Sequence, residues 1–314
     1  VTSASLTRPP ALAPGDRVAV LCVSSPVDPG ALAAGLDALR FAGLDPVTYP
    51  SALDQGTLRP YLAGDDAMRA GDLRAALTDP AIAGILFARG GSGAQRTLEA
   101  MDWTALAGLA PKVLAGYSDV TAVLEAVAAH LGWASVFGPM AAIRESASHY
   151  SFGSLLRTLM RPEQATWIHY PDAVTVVPGV ARGVTTGGTL SVICASLGTS
   201  TSRPARGGIL LLEDVGEEEY RLDRMLTQLR RSGYLDGVAG IVAGTFTDCG
   251  SPDLITGVLT ERLSGLAVPM IAWANVGHGG RVQSYPYGIA AELDAGAATV
   301  QLLDPPLAPS GSAA

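Results

Sequence analysis

Short apolar runs recur along the first half of the chain, each closed by glycine, serine or proline and followed by residues at helical spacing. Residues 16–23 (Asp16-Arg17-Val18-Ala19-Val20-Leu21-Cys22-Val23) predict a fully buried strand that ends at Ser24-Ser25-Pro26. A helix over 31–42 follows, stopped by Gly43, and then a strand near 46–49. Asp65 and Asp66 can cap a helix through Met68, Leu73 and Leu77. The run 82–88 predicts a second buried strand, which opens into Arg89-Gly90-Gly91-Ser92-Gly93. A strand at 113–115, a helix over 120–131 and a strand at 134–138 continue the alternation. Continuous apolar strands that alternate with helices imply a parallel sheet covered on both faces.

The regularity lapses between about 145 and 182, apart from a short helix over 152–160. It resumes with Gly187-Gly188-Thr189-Leu190 opening a helix and a strand over 208–212 that ends in Glu213. An amphipathic helix over 220–231 carries Leu222, Met225, Leu226 and Leu229 on one face. Strands at 239–244 and 270–274 flank a helix near 254–263, and Asp294-Ala295-Gly296 separates two last strands at 288–293 and 297–303. The expected fold is therefore α/β in two domains. Residues 1–150 form an N-terminal Rossmann-like domain with a parallel sheet, and 151–182 connect it to a smaller C-terminal domain with a mixed sheet over 183–305. Residues 306–314 form a disordered tail.

Composition narrows the function. The chain has 314 residues, 48% hydrophobic and 16% charged, as in an ordinary globular protein. A net charge of −8 disfavours nucleic acid as a partner. The three cysteines Cys22, Cys194 and Cys249 are widely separated and form no disulfide or CxxC metal pattern. There is no apolar run long enough to cross a membrane, and no basic stretch leading into an apolar core at the N-terminus. Reduced thiols in a cytoplasmic protein are expected.

In open parallel sheets, ligands bind beyond the carboxyl ends of the strands. Three polar side chains fall there. Ser118 follows the strand at 113–115, Glu213 ends the strand at 208–212, and His278 follows the strand at 270–274. Nucleophile, carboxylate and imidazole are what activated-serine hydrolysis needs. Each also has an ordinary reading. Ser118 can be a helix cap, Glu213 can be a strand-end carboxylate with Asp214 or Glu217 as equivalents, and His278 can be a surface loop residue. Gly91-Ser92-Gly93-Ala94-Gln95-Arg96 places arginine where a dinucleotide fingerprint needs a small residue, and Gly240–Gly244 lacks the lysine of a phosphate loop. A glycine loop at a helix start can instead supply N–H groups to an oxyanion. The four histidines have no metal-ligand spacing, so neither a metal nor a cofactor is expected.

Taken in order, Arg89-Gly90-Gly91-Ser92-Gly93, Gly116-Tyr117-Ser118-Asp119, Gly187-Gly188-Thr189-Leu190, Leu212-Glu213-Asp214 with Tyr220–Leu226, and Gly277-His278 resemble the LD-carboxypeptidase family of serine peptidases. That family also includes the microcin C immunity peptidases. The resemblance covers about residues 14–305, and Thr189 stands where the family usually has Asn. It implies a triad of Ser118, Glu213 and His278, an oxyanion hole from the N–H groups of Gly91 and Asp119, and a homodimer. It implies release of D-alanine from murein tetrapeptides during cell-wall recycling. A carboxypeptidase must hold a free carboxylate. Arg89 and Gly90 of the glycine loop are the substrate-binding candidates, with Arg89 as the clamp because a guanidinium binds a carboxylate bidentately; its ordinary reading is structural pairing with an acidic neighbour. Two other readings are cleavage of aminoacyl or peptidyl nucleotide toxins, for which Trp167 is a candidate nucleobase platform, and a silent small-ligand binder.

Overall fold

The computed structural model describes residues 5–142 and 149–311. In chain order the first half comprises β1 (Arg17–Leu21), α1 (Pro29–Phe41), β2 (Asp45–Thr48), α2 (Pro50–Leu53), α3 (Asp66–Thr78), β3 (Ile82–Phe87), α4 (Ala94–Glu99), β4 (Val113–Gly116), α5 (Thr121–His130) and β5 (Ser135–Phe137). It continues with α6 (His149–Met160), β6 (Trp167–His169), β7 (Val174–Val177), β8 (Val180–Thr189), α7 (Leu190–Ser196), β9 (Gly208–Val215) and α8 (Glu219–Arg231). The last elements are β10 (Gly240–Thr247), α9 (Pro252–Leu263), β11 (Met270–Ala272), β12 (Tyr285–Tyr287), β13 (Ala290–Asp294) and β14 (Thr299–Leu302).

Two sheets result. The first has the order β12-β5-β4-β3-β1-β2, with β1 to β5 all parallel. Its strands bury nearly every side chain, which is why they read as unbroken apolar runs. The second is mixed, in the order β6-β14-β13-β8-β9-β10-β11-β7, with parallel pairing from β8 to β11. One apolar core runs from Ile85, Leu114 and Val123 at the first sheet to Leu211, Val242 and Ile271 of the second. A second core, with Leu32, Leu39, Leu155 and Leu159, lies under α1 and α6. A third, with Leu222, Leu226, Leu229 and Leu259, lies under α8 and α9. The helix stripe read at Leu222, Leu226 and Leu229 is therefore a core face.

The stretch expected to be only a connection has its own structure. Phe152, Leu155 and Leu159 of α6 pack into the first sheet's outer core, while β6 and β7 take opposite edges of the second sheet. β12 returns to the first sheet, where Pro286 stands opposite Val136. Proline is tolerated there because β12 is an edge strand and need not donate to a second neighbour. Residues 306–308, expected to be disordered, are docked. Ala308 exchanges backbone hydrogen bonds with Ala11 (2.8 Å) and Pro9 (2.9 Å), and Leu307 is buried. Of the expected tail, residues 312–314 lie outside the described residues.

Among the described residues, no helix is long and apolar enough to cross a membrane. Cys22, Cys194 and Cys249 are all buried as free thiols. Burial pushes the Cys22 thiol up to about 12, so it stays protonated and unreactive at neutral pH.

Candidate active site

The first sheet reverses its winding between β1 and β3, and the loops after these strands flank the crevice that such a reversal opens. Ser25 of one loop and Gly90 of the other are joined by a backbone hydrogen bond of 3.2 Å. The Ser25 hydroxyl accepts from the Ser92 N–H at 3.1 Å and donates to the Tyr61 carbonyl at 2.8 Å. Gly91 has φ +109°, a conformation open to glycine, and a side chain there would collide with Ser25. The glycine loop is thus fixed by its neighbours.

β4 delivers the chain to Ser118, which starts a single 3-10 turn (Ser118–Val120) before α5. Ser118 has φ +62°, a left-handed conformation that L-residues other than Gly, Asn and Asp rarely adopt. Strain of this kind is characteristic of functional corners, where it presents a side chain at a sharp strand-to-helix turn. The Asp119 side chain holds the corner in place. Its Oδ2 accepts from the Ser24 hydroxyl at 2.6 Å and from the Ala94 N–H at 2.8 Å. Burial raises the Asp119 pKa, against the lowering effect of these donors. The first hydrogen bond of the turn runs from the Val120 N–H to the Tyr117 carbonyl at 3.2 Å, so the Asp119 N–H precedes the internal pairing.

The second sheet contributes the other groups. Glu213, fully buried on β9, accepts at Oε2 from His278 Nδ1 (2.7 Å) and from the His278 backbone N–H (3.1 Å). Its Oε1 accepts from the Thr189 hydroxyl at the end of β8. Gly277, at φ +111°, passes so close to the Glu213 carboxylate that no side chain fits there, which explains the glycine before the histidine. The carbonyl of His278 accepts from the Thr247 hydroxyl. For the His278 imidazole, burial favours the neutral form. The Glu213 hydrogen bond and the charges of Glu213 and Asp214 outweigh it and raise the pKa. Asp214 is pushed up to about 6 by its own burial and then by the adjacent Glu213.

Ser118, His278, Arg89, Gly90 and Gly91 all line one cleft of about 590 Å³ between the sheets. Ser118 and His278 face it without a hydrogen bond between them, and such contacts tighten when substrate fills a site. The Tyr117 ring lies against the imidazole at 4.8 Å between centroids, tilted by 52°. The Arg89 guanidinium donates to the Pro26 carbonyl and makes no ion pair with any acidic residue among those described. Asp28 and Asp248 also line the cleft. Trp167 does not; it lies on the edge strand β6, 59% exposed. Among the described residues, the aromatics of the cleft are Tyr117 and Phe152. Tyr117, Thr189 and Thr247 were missed as site residues in the sequence. For Tyr117 and Thr189, adjacency to the motifs carrying Ser118 and to the Gly187-Gly188 pair was the available signal.

Family models describe the same layout. Residues 18–138 match the LD-carboxypeptidase N-terminal domain, and residues 182–293 match the LD-carboxypeptidase C-terminal domain. A putative carboxypeptidase of Streptomyces coelicolor is 48% identical, over 98% of this chain and 99% of that protein. The murein tetrapeptide carboxypeptidase of Pseudomonas aeruginosa is 31% identical, over 88% of this chain and 93% of that one. Among solved structures, the Microcin C7 self-immunity protein MccF bound to glutamyl sulfamoyl guanosine superposes with a TM-score of 0.85 at 21% identity, over 96% of this chain and 99% of that one.

Proposed function

This chain belongs to the LD-carboxypeptidase family of serine peptidases, and from that premise we propose that it releases the terminal D-alanine of murein tetrapeptides through Ser118, His278 and Glu213. The observation that carries the reading is the His278–Glu213 hydrogen bond opening onto the cleft that Ser118 also lines.

In this reaction His278 takes the Ser118 hydroxyl proton while the oxygen attacks the carbonyl between an L-configured centre and D-alanine. The N–H groups of Gly91 and Asp119 receive the negative charge that develops on the carbonyl oxygen. His278 then gives its proton to the departing amine of D-alanine. Water, deprotonated by the same imidazole, releases the shortened peptide and restores Ser118. Glu213 holds the imidazole with Nδ1 as donor and stabilises its charged form. Arg89 is suited to the substrate's free carboxylate. Among the described residues it forms no ion pair with a carboxylate, and the Pro26 carbonyl steadies the side chain at the cleft. We further propose that this chemistry serves cell-wall recycling in the cytoplasm and that the enzyme works as a homodimer, a reading that rests on the family resemblance alone.

The test is release of D-alanine from purified murein tetrapeptide by the wild type and by Ser118→Ala. Wild-type release that survives in Ser118→Ala overturns the serine mechanism. Arg89→Ala should lose more activity on the free acid than on its C-terminal amide, and equal losses would defeat the clamp. A processed microcin-type nucleotide is the second substrate. Preference for it would favour the nucleotide-toxin reading, for which the cleft offers, among the described residues, Tyr117, already packed on His278, and the largely buried Phe152. A protein that binds the tetrapeptide without cleaving it would be a silent binder.

A further inference from the structure

Thr189 occupies the turn from β8 into α7 and is 3% exposed. Its two polar groups point in different directions. The hydroxyl donates to Glu213 Oε1, and the backbone N–H donates to Thr121 Oγ1 at 3.2 Å. Thr121 is fully buried and is the first residue of α5, three positions beyond Ser118. Gly188 presses on the same side chain: a methyl group there would stand 2.7 Å from Thr121 Cγ2 and 2.8 Å from Oγ1. A continuous set of buried contacts therefore joins the Ser118 corner in one sheet to the Glu213–His278 pair in the other.

The two oxygens of Glu213 have separate partners. Oε2 receives both N–H groups of His278, and Oε1 receives Thr189. Without a donor at Oε1, the carboxyl group is held through Oε2 alone, and its plane is less firmly set toward the imidazole. The neighbouring Asp214 is kept apart by the same turn. Its Oδ2 accepts from the Ser191 N–H at 2.8 Å and its Oδ1 from the Ser191 hydroxyl at 3.2 Å. Two adjacent buried carboxylates are thus sorted by two hydroxyls two residues apart.

We propose that Thr189 is a positioning residue, which aims the Glu213 carboxylate at His278 through its hydroxyl and registers that pair against Ser118 through its backbone bond to Thr121. The kinetic part rests on the carboxypeptidase reading. The contact itself does not.

Thr189→Val keeps the shape and removes the hydroxyl, whereas Thr189→Ser keeps the hydroxyl. With murein tetrapeptide, Thr189→Val should lower kcat on the order of 10–100-fold, the scale of an ångström-sized misplacement, with KM within about twofold. Thr189→Ser should recover kcat to within about threefold of wild type. Thr121→Val, which removes the acceptor for the Thr189 N–H, should also lower kcat. The second readout is titration of the His278 imidazole by NMR, whose charged neighbours are Glu213 and Asp214 and whose ring rests on Tyr117. In Thr189→Val the carboxylate is no longer aimed at Nδ1 and holds the imidazolium proton less tightly, so the midpoint moves down, whereas Thr189→Ser leaves it in place and a midpoint that rises counts against the aiming role. An unmoved midpoint in Thr189→Val, or equal loss of kcat in the Val and Ser variants, overturns the proposal. A wild type that releases no D-alanine overturns the carboxypeptidase reading instead, and the imidazole titration then decides Thr189 alone.

Discussion

Gly90 and Ser118 approach each other so closely that a methyl group on Gly90 would stand 2.8 Å from the Ser118 Cβ and 3.1 Å from its Oγ. It would also lie 3.3 Å from the Asp119 nitrogen. The need for glycine at this position is therefore set by the serine, not by a turn. Gly90→Ala should push Ser118 out of line and reduce kcat by about 100-fold. Overpacking should also lower stability by roughly 1–3 kcal/mol. Steady-state kinetics alongside denaturant unfolding checks both, and unchanged kcat would mean that Ser118 has more room than its surroundings suggest.

The left-handed backbone at Ser118 predicts that function and stability oppose each other there. Ser118→Gly relieves the conformation and should stabilise the fold by about 1 kcal/mol, while turnover of tetrapeptide drops on the order of 10⁴–10⁶-fold. Ser118→Ala should show the same loss of turnover without the gain in melting temperature. A glycine variant less stable than the alanine variant would count against strain at the corner.

His278 gives a pH dependence with two signs. Its raised pKa means that the Glu213–His278 pair stabilises the folded state fully below the ordinary imidazole value of 6.5, and that this contribution fades as pH rises through the folded-state pKa. On the proposed mechanism activity runs the other way, because only the neutral imidazole can take the Ser118 proton. The acid limb of kcat/KM should therefore lie above 6.5. In Glu213→Gln the opposing effect of burial is left with only the Asp214 charge against it. The limb should then move down, and kcat should fall by about 10⁴-fold. A limb that stays in place would separate Glu213 from the reaction.

Glu125, in the middle of α5, is buried and its pKa is pushed up to about 8 by that burial. Its Oε2 has no hydrogen-bond partner among the described residues. Between the ordinary carboxyl value of 4.5 and about 8, the folded protein keeps a proton that the unfolded chain has lost. Stability should fall as pH rises through that window. Glu125→Gln cannot ionise, so its melting temperature should gain on the wild type steadily from about pH 5 to about pH 8 and no further above it. A gap constant with pH would show that Glu125 is charged in the folded state.

The elements with strong periodicity were legible in the sequence. The buried runs at 17–21, 82–87 and 113–116 are strands, and Asp65 caps the helix it was expected to cap, accepting from the Met68 N–H at 2.7 Å. β8 was hidden because Val180–Thr189 contains three glycines and polar side chains. Its place in the sheet comes from pairing with β9 on one side and β13 on the other, and no local pattern records that. β12 was hidden by its brevity and its proline. At the site, strand-end position and motif order located Ser118, Glu213 and His278. The Thr189–Glu213 bond, however, joins residues brought together by sheet pairing, and spacing along the chain does not reveal it.

The return of β12 to the first sheet bears on how the cleft opens. Chain crosses between the two sheets after α6, again before β12 and once more after it. Several covalent spans around a continuous core leave no single pivot about which one half can swing. Peptide entry should then rely on small local adjustments at the rim. For the same reason, a fragment cut after β11 would leave β5 as a bare, sticky border in place of a paired one, an invitation to aggregate.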